Sequence, residues 1–534
     1  MRFARRCRSS GPNTVFREYP TPKIVARLLF SAASFGIMDS NNRGTVMSED
    51  FRIAIIGAGF GGLGMAIQLT RHGEQDLVVL EKQADLGGCW HDNTYPGAAC
   101  DVPSHLYSFS FEPCFDWSHR FARQHEIHAY LEHCADQYDV RRHIRFRTEV
   151  TAADFDEDTG RWHLQLADGG AITAGILITA TGQLNRPAVP ELPGLEDFRG
   201  RWFHSARWNH DFDPAGKDVA VVGTGASAIQ FIPPLAKQAR NLYVFQRSAP
   251  YVVPRPDKAW KPWQRRLMQR FPVLQKLDRA RIYAALEARV PGFTFLPFLM
   301  KVYAWRFHRL LRKQVRDPEL RRKLTPDYPL GCKRVLLAND YYPALVRDHV
   351  EVIDTGIERV TEDSVIAADG RERKVDAIVF GTGFQATDFL SPIRITGRDG
   401  HSLNQAWRDG AKAYLGMTVH GFPNLFMLYG PNTNLGHSSV IYMLESQIHY
   451  ILQCLDLIRS RELRYLEVRA EPQDRFNRQI QHRMERTVWQ QGCESWYKTA
   501  DGRNTNNWPG FTFIYRRRTR HVQLDDYHRV GETG

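Results

Sequence analysis

Two copies of one local plan run along this chain, and they restrict its fold more than any other feature. In the first, a short apolar strand pattern, RIAII at 52–56, runs into Gly57-Ala-Gly59-Phe-Gly61-Gly62. A helical pattern follows with Leu63, Ala66, Ile67 and Thr70 on one face, and Gly73 stands where a C-cap glycine belongs. The next strand, LVVLE, ends at Glu81, nineteen residues beyond Gly62. Later a hairpin turns at Asp168-Gly169, and the strand ILITATG closes at Gly182. The second copy repeats the order. VAVV at 219–222 leads into Gly223-Thr224-Gly225-Ala-Ser227-Ala228, a helix, and LYVFQ ending before Arg247. A hairpin turns at Asp369-Gly370, and DAIVFGTG closes at Gly383. Strand, glycine turn, helix and strand in this order form a dinucleotide-binding unit. The chain is therefore expected to be α/β, with two Rossmann-like dinucleotide-binding domains.

Each glycine has a task. Gly57 permits the tight turn, Gly59 lets a pyrophosphate approach the backbone, and Gly62 allows close helix–strand packing. The helix N-terminus faces the phosphate charge. Glu81 is placed to bind ribose hydroxyls. The second loop has Ala228 as its third small residue and no acid after its second strand; Gln246-Arg247 stands there instead. A ribose 2′-phosphate repels an acid and favours a guanidinium. The second site is thus expected to take NADPH, with Lys333 as a further phosphate partner, and the first FAD. Hydride then passes from nicotinamide to flavin. A solvated surface charge is the other reading of Arg247. A disulfide reductase would use the same cofactors, but it needs a paired-cysteine centre, and no CxxC or CxxxxC exists here.

Composition narrows the classes further. A chain of 534 residues has room for two to four domains. No run of about 18 apolar residues exists, so stable membrane insertion is not expected. The formal charge is +12, of which +6 lies in residues 1–37, so the body argues poorly for nucleic acid. That Arg-rich, acid-poor start is like an organellar presequence; a disordered extension upstream of Met38 or Met47 is the plainer reading. Eight scattered cysteines suggest neither a zinc site nor a disulfide framework, and a reducing cytoplasm is the default. The expected divisions are 1–47, an extension; 48–185, the first part of an FAD-binding domain; 186–382, an NADP-binding domain; and 383–534, the second FAD-binding part and tail. About 70 residues, 255–325, form a helical insert rich in Arg, Lys and aromatics. It reads as a solvated helical subdomain, with contact to a membrane surface as the alternative. The insert and residues 428–445 are the candidate pocket walls.

Residues 87–101, GGCWHDNTYPGAACD, and Phe198-x-Gly200-x-x-x-His204-x-x-x-Trp208 carry a resemblance. Together with the two glycine loops they resemble the type I Baeyer–Villiger monooxygenases, class B flavoproteins, over roughly residues 50–515. One departure is Asn209, where Pro or Asp is common. The resemblance implies an FAD- and NADPH-dependent enzyme that uses dioxygen, through a flavin C4a-peroxide, to convert a small-molecule ketone into an ester or lactone. It implies Arg334, in Gly331-Cys-Lys-Arg334, as the active-site cation, Asp101 as the acid that orients it, and Trp496 beside the nicotinamide ribose. Gly88, Trp90 and Tyr107 would close on the flavin, and Val150 joins the FAD contacts. Thr224 and Ser227 join those of NADP. His204 is expected to be structural or hinge-like. Bland readings stand beside these: Asp101 as a turn cap, Arg334 as a surface charge, Trp496 as core packing. Two other functions stay open. One is sulfur or nitrogen oxygenation, against which Trp208 argues. The other is an NADPH oxidase or redox protein that docks a partner through the insert. The particular ketone and the oligomeric state are not specified by these residues.

Overall fold

Strand Glu49–Ile56 lies parallel to Leu77–Leu80 on one side and to Ala171–Thr179 on the other. All four residues of Leu77–Leu80 are buried, as a continuous apolar run in a parallel strand requires. Helix Phe60–Arg71 starts at once after Gly59 and buries Leu63, Ala66 and Ile67. It stops where expected. Gly73 takes a left-handed φ of +85°, and its N–H donates to the carbonyl of Thr70 at 3.0 Å. This computed structural model describes residues 48–493 and 495–531. The expected extension at 1–47 lies outside the described residues.

The first sheet has eight strands. Its main path runs Arg394–Thr396, Val150–Asp156, Arg161–Leu166, Ala171–Thr179, Glu49–Ile56, Leu77–Leu80 and Ile144–Arg145. Leu425–Met427 pairs with Ala171–Thr179 as the eighth strand. The hairpin read at Asp168-Gly169 is there, with Gln165 opposite Ala171. The second sheet has five strands, all parallel: Val350–Ile353, Asn241–Phe245, Asp218–Val222, Ala377–Phe380 and Arg201–His204. The chain thus builds most of one sheet, then the other, and returns to the first with two strands from beyond residue 383. Trp162, fully buried, ties that return to the hairpin by donating from Nε1 to the carbonyl of Pro423 at 3.0 Å.

The insert is helical, as expected: Pro262–Arg270, Pro272–Glu287, Val290–Phe293, Leu299–Gln314 and Pro318–Lys323. Its base is closed by the short parallel pair Val252–Val253 and Leu336–Leu337. No disulfide framework is expected from the scattered cysteines, but one pair does form among the described residues. Cys332 and Cys493 form a disulfide, their Cα atoms 6.3 Å apart. A separation of 161 residues hides such a pair from any spacing rule.

Candidate functional site

The two glycine loops close in the same way. A Cβ on Gly57, at φ +102°, would lie 2.7 Å from the carbonyl oxygen of Ala180. A Cβ on Gly223, at φ +103°, would lie 2.5 Å from that of Gly381. Ala180 and Gly381 sit in the ATG and GTG segments that end the equivalent strands. Each loop is therefore pinned to the end of its own sheet, at the carboxyl edge where ligands of such sheets bind. Gly62 has no room either, since its Cβ would fall 1.8 Å from the Gly57 carbonyl oxygen. Gly59 and Gly225 differ. Their nearest neighbours, Gly88 Cα at 3.6 Å and the Gly381 oxygen at 3.8 Å, leave ordinary space. These two positions are open toward a cavity of about 1000 Å³ that both loops line. Neither following helix carries an acid in its first turn, so both N-termini keep their positive end for an anion.

Of the nineteen positions expected in the site, seventeen line this one cavity; Gly62 and Ala228 pack behind it. The Gly87-Gly88 turn lies against the first loop. Gly87 donates its N–H to the Ala58 carbonyl at 3.0 Å, and Gly88 takes φ +55° close to Gly59. Trp90 donates from Nε1 to the Tyr107 hydroxyl at 3.1 Å, their rings edge to face at 5.7 Å. Glu81 is 5% exposed, and its carboxylate accepts from the N–H of Ala58 at 2.8 Å and of Gln83 at 2.9 Å. It shapes the loop as well as offering its remaining lone pairs to the cavity. Val150, buried at a strand start, borders the same region.

On the second side, Arg247 is exposed at the cavity wall, and among the described residues no acid forms an ion pair with it. Lys333 lies beside it, donating from Nζ to the Ser248 hydroxyl at 2.9 Å and sitting over the Tyr328 ring. Thr224 Oγ donates to the Ser248 carbonyl at 3.4 Å, and Ser227 is the N-cap residue of helix Ala228–Gln238. Gln246 turns its amide away, donating to the Lys323 carbonyl at 2.7 Å. Its amide nitrogen is thus engaged within the protein, although the residue borders the cavity.

Between the two loops lies the charged pair. Arg334 donates from Nε at 2.8 Å and from Nη2 at 2.6 Å to one oxygen, Oδ2 of Asp101. The neighbouring carboxylate raises the already high pKa of the guanidinium. Between a quarter and a third of each side chain, 31% for Arg334 and 25% for Asp101, remains exposed. The pair is neither a surface charge nor a turn cap. Around it are hydroxyls that stay neutral. Burial pushes Tyr497 up to about 12 and Tyr429 higher. Trp496 lines the cavity with its ring 4.4 Å from that of Tyr497. The disulfide Cys332–Cys493 ties the segment of Arg334 to that of Trp496.

Several lining residues are not singled out by the sequence, although the stretch that holds them is. Tyr429 donates to Asn434 Oδ1 at 2.6 Å, and Leu428, Leu435 and Ser438 complete a largely apolar wall. They come from the 428–445 stretch expected to form the pocket. The helical insert does not, because no residue of 255–325 lines the cavity. Only Gly182 and Gly383, at the ends of paired strands, carried a signal for the lining at 180–185 and 381–384. His204 is buried, its Nδ1 accepting from the Ala206 N–H at 3.1 Å. Burial lowers its pKa, so the ring is neutral at pH 7, as suits a structural residue.

The contrast between the glycines gives a test. Gly59→Ala should fold with an unchanged melting temperature of the apoprotein, yet lose most bound FAD. Gly62→Ala should lower the melting temperature itself. Flavin absorbance per chain and thermal unfolding check both, and normal FAD content in Gly59→Ala would place the pyrophosphate elsewhere.

Two glycine-turn sheets facing one cavity, with a guanidinium–carboxylate pair between them, define a flavoprotein with two dinucleotide sites. Comparison with known proteins agrees. Residues 50–291 match the model of the flavin-binding monooxygenase-like family. The chain is 50% identical over 479 residues to a Baeyer–Villiger monooxygenase of Pseudomonas aeruginosa, covering 89% of this chain and 91% of that one. A steroid monooxygenase bound to NADP has a similar structure, with TM-score 0.81 at 31% identity, over 90% of this chain and all of that one. OTEMO in complex with FAD and NADP gives 0.82 at 29% identity, over 91% of this chain and all of its own. The chain belongs to the flavin-binding monooxygenase-like family and, within it, to the FAD- and NADPH-dependent Baeyer–Villiger monooxygenases.

Proposed function

We propose that Arg334, aimed by Asp101, is the catalytic cation of a reaction that inserts one oxygen atom beside a ketone carbonyl. The observation that carries this is the single Asp101 oxygen accepting two N–H bonds from Arg334 in the cavity both loops share. Hydride acceptance and dioxygen activation are supplied by FAD when bound. The chain supplies the rest. Gly57, Gly59 and the N-terminus of helix Phe60–Arg71 hold the FAD pyrophosphate, Glu81 accepts from its ribose hydroxyls, and Trp90 and Tyr107 wall the flavin. Gly223, Gly225 and Ser227 hold the NADPH pyrophosphate, and Arg247 with Lys333 holds the 2′-phosphate. On this assignment residues 48–185 and 383–534 form the FAD unit and 186–382 the NADP unit.

Oxygen transfer to a ketone builds negative charge on the reacting oxygen and on the tetrahedral carbonyl adduct. A guanidinium stays cationic at any working pH and can donate two N–H bonds at once. Asp101 occupies Nε and Nη2, which leaves the Nη1 side for the reacting oxygens. Trp496 limits water access and positions the nicotinamide ribose. Purified enzyme supplied with NADPH, oxygen, a panel of ketones and a sulfide should give esters or lactones in step with NADPH use. Sulfoxide alone, or NADPH consumption without any oxygenated product, would overturn the assignment.

A further inference from the structure

The mild charge of the chain hides a strong segregation. Residues 258–316 hold fifteen Lys and Arg against only Asp278 and Glu287, a local excess of +13 in a chain of net charge +12. With +6 in residues 1–37, everything else is net acidic, at −7. This same stretch carries most of the large apolar side chains left in solvent. Helix Leu299–Gln314 buries Met300, Phe307 and Leu311 against the protein. On its outer side Val302 and Trp305 are 52% and 56% exposed, in line with Phe298 at 60%. Positions 298, 302 and 305 form one helical stripe, and Arg309 continues it with its guanidinium over the Trp305 ring. Lys301, Arg306 and Arg312 flank the stripe, exposed. A second stripe shows the same pattern. Trp263, Leu267, Phe271 and Leu277 are all exposed, among Arg266, Arg270 and Lys276.

An apolar face this wide is costly in water and does not line the cavity between the glycine loops, so it points outward for a reason. Another copy of the chain would set one large cationic excess against another. Nucleic acid would match the charge, but Val302, Leu267 and Leu277 have no π-face on which bases stack. Cations around exposed Trp, Phe and Leu suit a surface with anionic headgroups over hydrocarbon. No helix among the described residues is long and apolar enough to cross a membrane, so the contact is peripheral. We propose that the helical insert docks this enzyme on an anionic phospholipid surface. This does not rest on the assignment of Arg334.

Full-length, FAD-loaded enzyme is floated with vesicles of phosphatidylglycerol and phosphatidylcholine in equal parts, and with vesicles of phosphatidylcholine alone. It should float with the anionic vesicles only. Raising salt from about 0.1 M to about 1 M, which shortens the screening length from roughly 10 Å to roughly 3 Å, should release it. Phe298→Ser with Trp305→Ser, and separately Arg306→Glu with Arg309→Glu, should each cut the bound fraction about fivefold or more, with FAD content and NADPH oxidation unchanged. Several outcomes overturn the proposal: no flotation with anionic vesicles, equal flotation with neutral ones, or an apolar pair of substitutions without effect. So does a dimer, formed without vesicles, that the apolar pair abolishes. Tighter binding of single-stranded RNA than of the anionic vesicles would assign the surface to nucleic acid instead.

Discussion

Arg334→Ala should continue to oxidise NADPH while ester formation falls by about 10²–10³-fold, the usual cost of losing one preorganised stabiliser of a developing oxyanion. Two effects act together. The cation that stabilises the reacting oxygen is gone, and Asp101 is left as an unpaired carboxylate facing the same cavity, where its charge repels the negative oxygen. The two can be separated. Asp101→Asn keeps the cation but loosens its aim, so its loss should be smaller. Asp101→Asn combined with Arg334→Ala removes the stray charge and should recover part of the deficit of Arg334→Ala, though not the cation's own share. Arg334→Lys keeps a positive charge on a shorter set of donors and should fall between wild type and alanine. The measurement is the ratio of ester formed to NADPH consumed. An unchanged ratio in Arg334→Ala would remove this residue from the chemistry.

Arg247→Ala should raise the KM for NADPH about 10–100-fold, which corresponds to losing one charge-assisted hydrogen-bonded contact. The KM for NADH should barely move, because NADH has no 2′-phosphate. The structure favours a specific effect. Arg247 has no ion-pair partner among the described residues, and Lys333 is held beside it through Ser248. Some phosphate affinity should therefore persist through Lys333 in the single variant, and Lys333→Ala in addition should remove most of the preference for NADPH. Parallel KM and kcat values for both nucleotides decide the point. An equal rise in KM for NADPH and NADH would mean that Arg247 supports the loop rather than the 2′-phosphate.

The glycine loops were legible because their constraints are local. A left-handed φ at Gly57 or Gly223, and a helix start with no room for a Cβ at Gly62, act within a few residues and leave a spacing in the chain. Arg247 was legible for a similar reason, since one strand separates it from its loop. Gln246 shows the limit of that reasoning. Its position was right for the site, yet its side chain turns to Lys323, because the direction of a side chain depends on what packs above it. Tyr429 and Asn434 fell inside a stretch expected to form the pocket but were not singled out there, and Tyr497 left no pattern at all. Packing brings Tyr429 and Asn434 to the cavity and Tyr497 behind it against Trp496, and an aromatic or an amide in a loop has many other uses.

Sequence alone pointed to two dinucleotide units and, through the charge at a strand end, to NADP as the second nucleotide, because periodicity, turn chemistry and charge at a strand end are short-range properties. Tertiary structure decided what depends on distant partners. Asp101 and Arg334 meet across 233 residues, and Cys332 and Cys493 across 161. The insert depends on tertiary structure in another way. Its apolar spacing has the same look whether a face is covered or bare, and only the packed molecule shows Met300, Phe307 and Leu311 turned inward while Phe298, Val302 and Trp305 meet solvent. A helix has two sides, and its own residues do not record which of them the rest of the chain will cover.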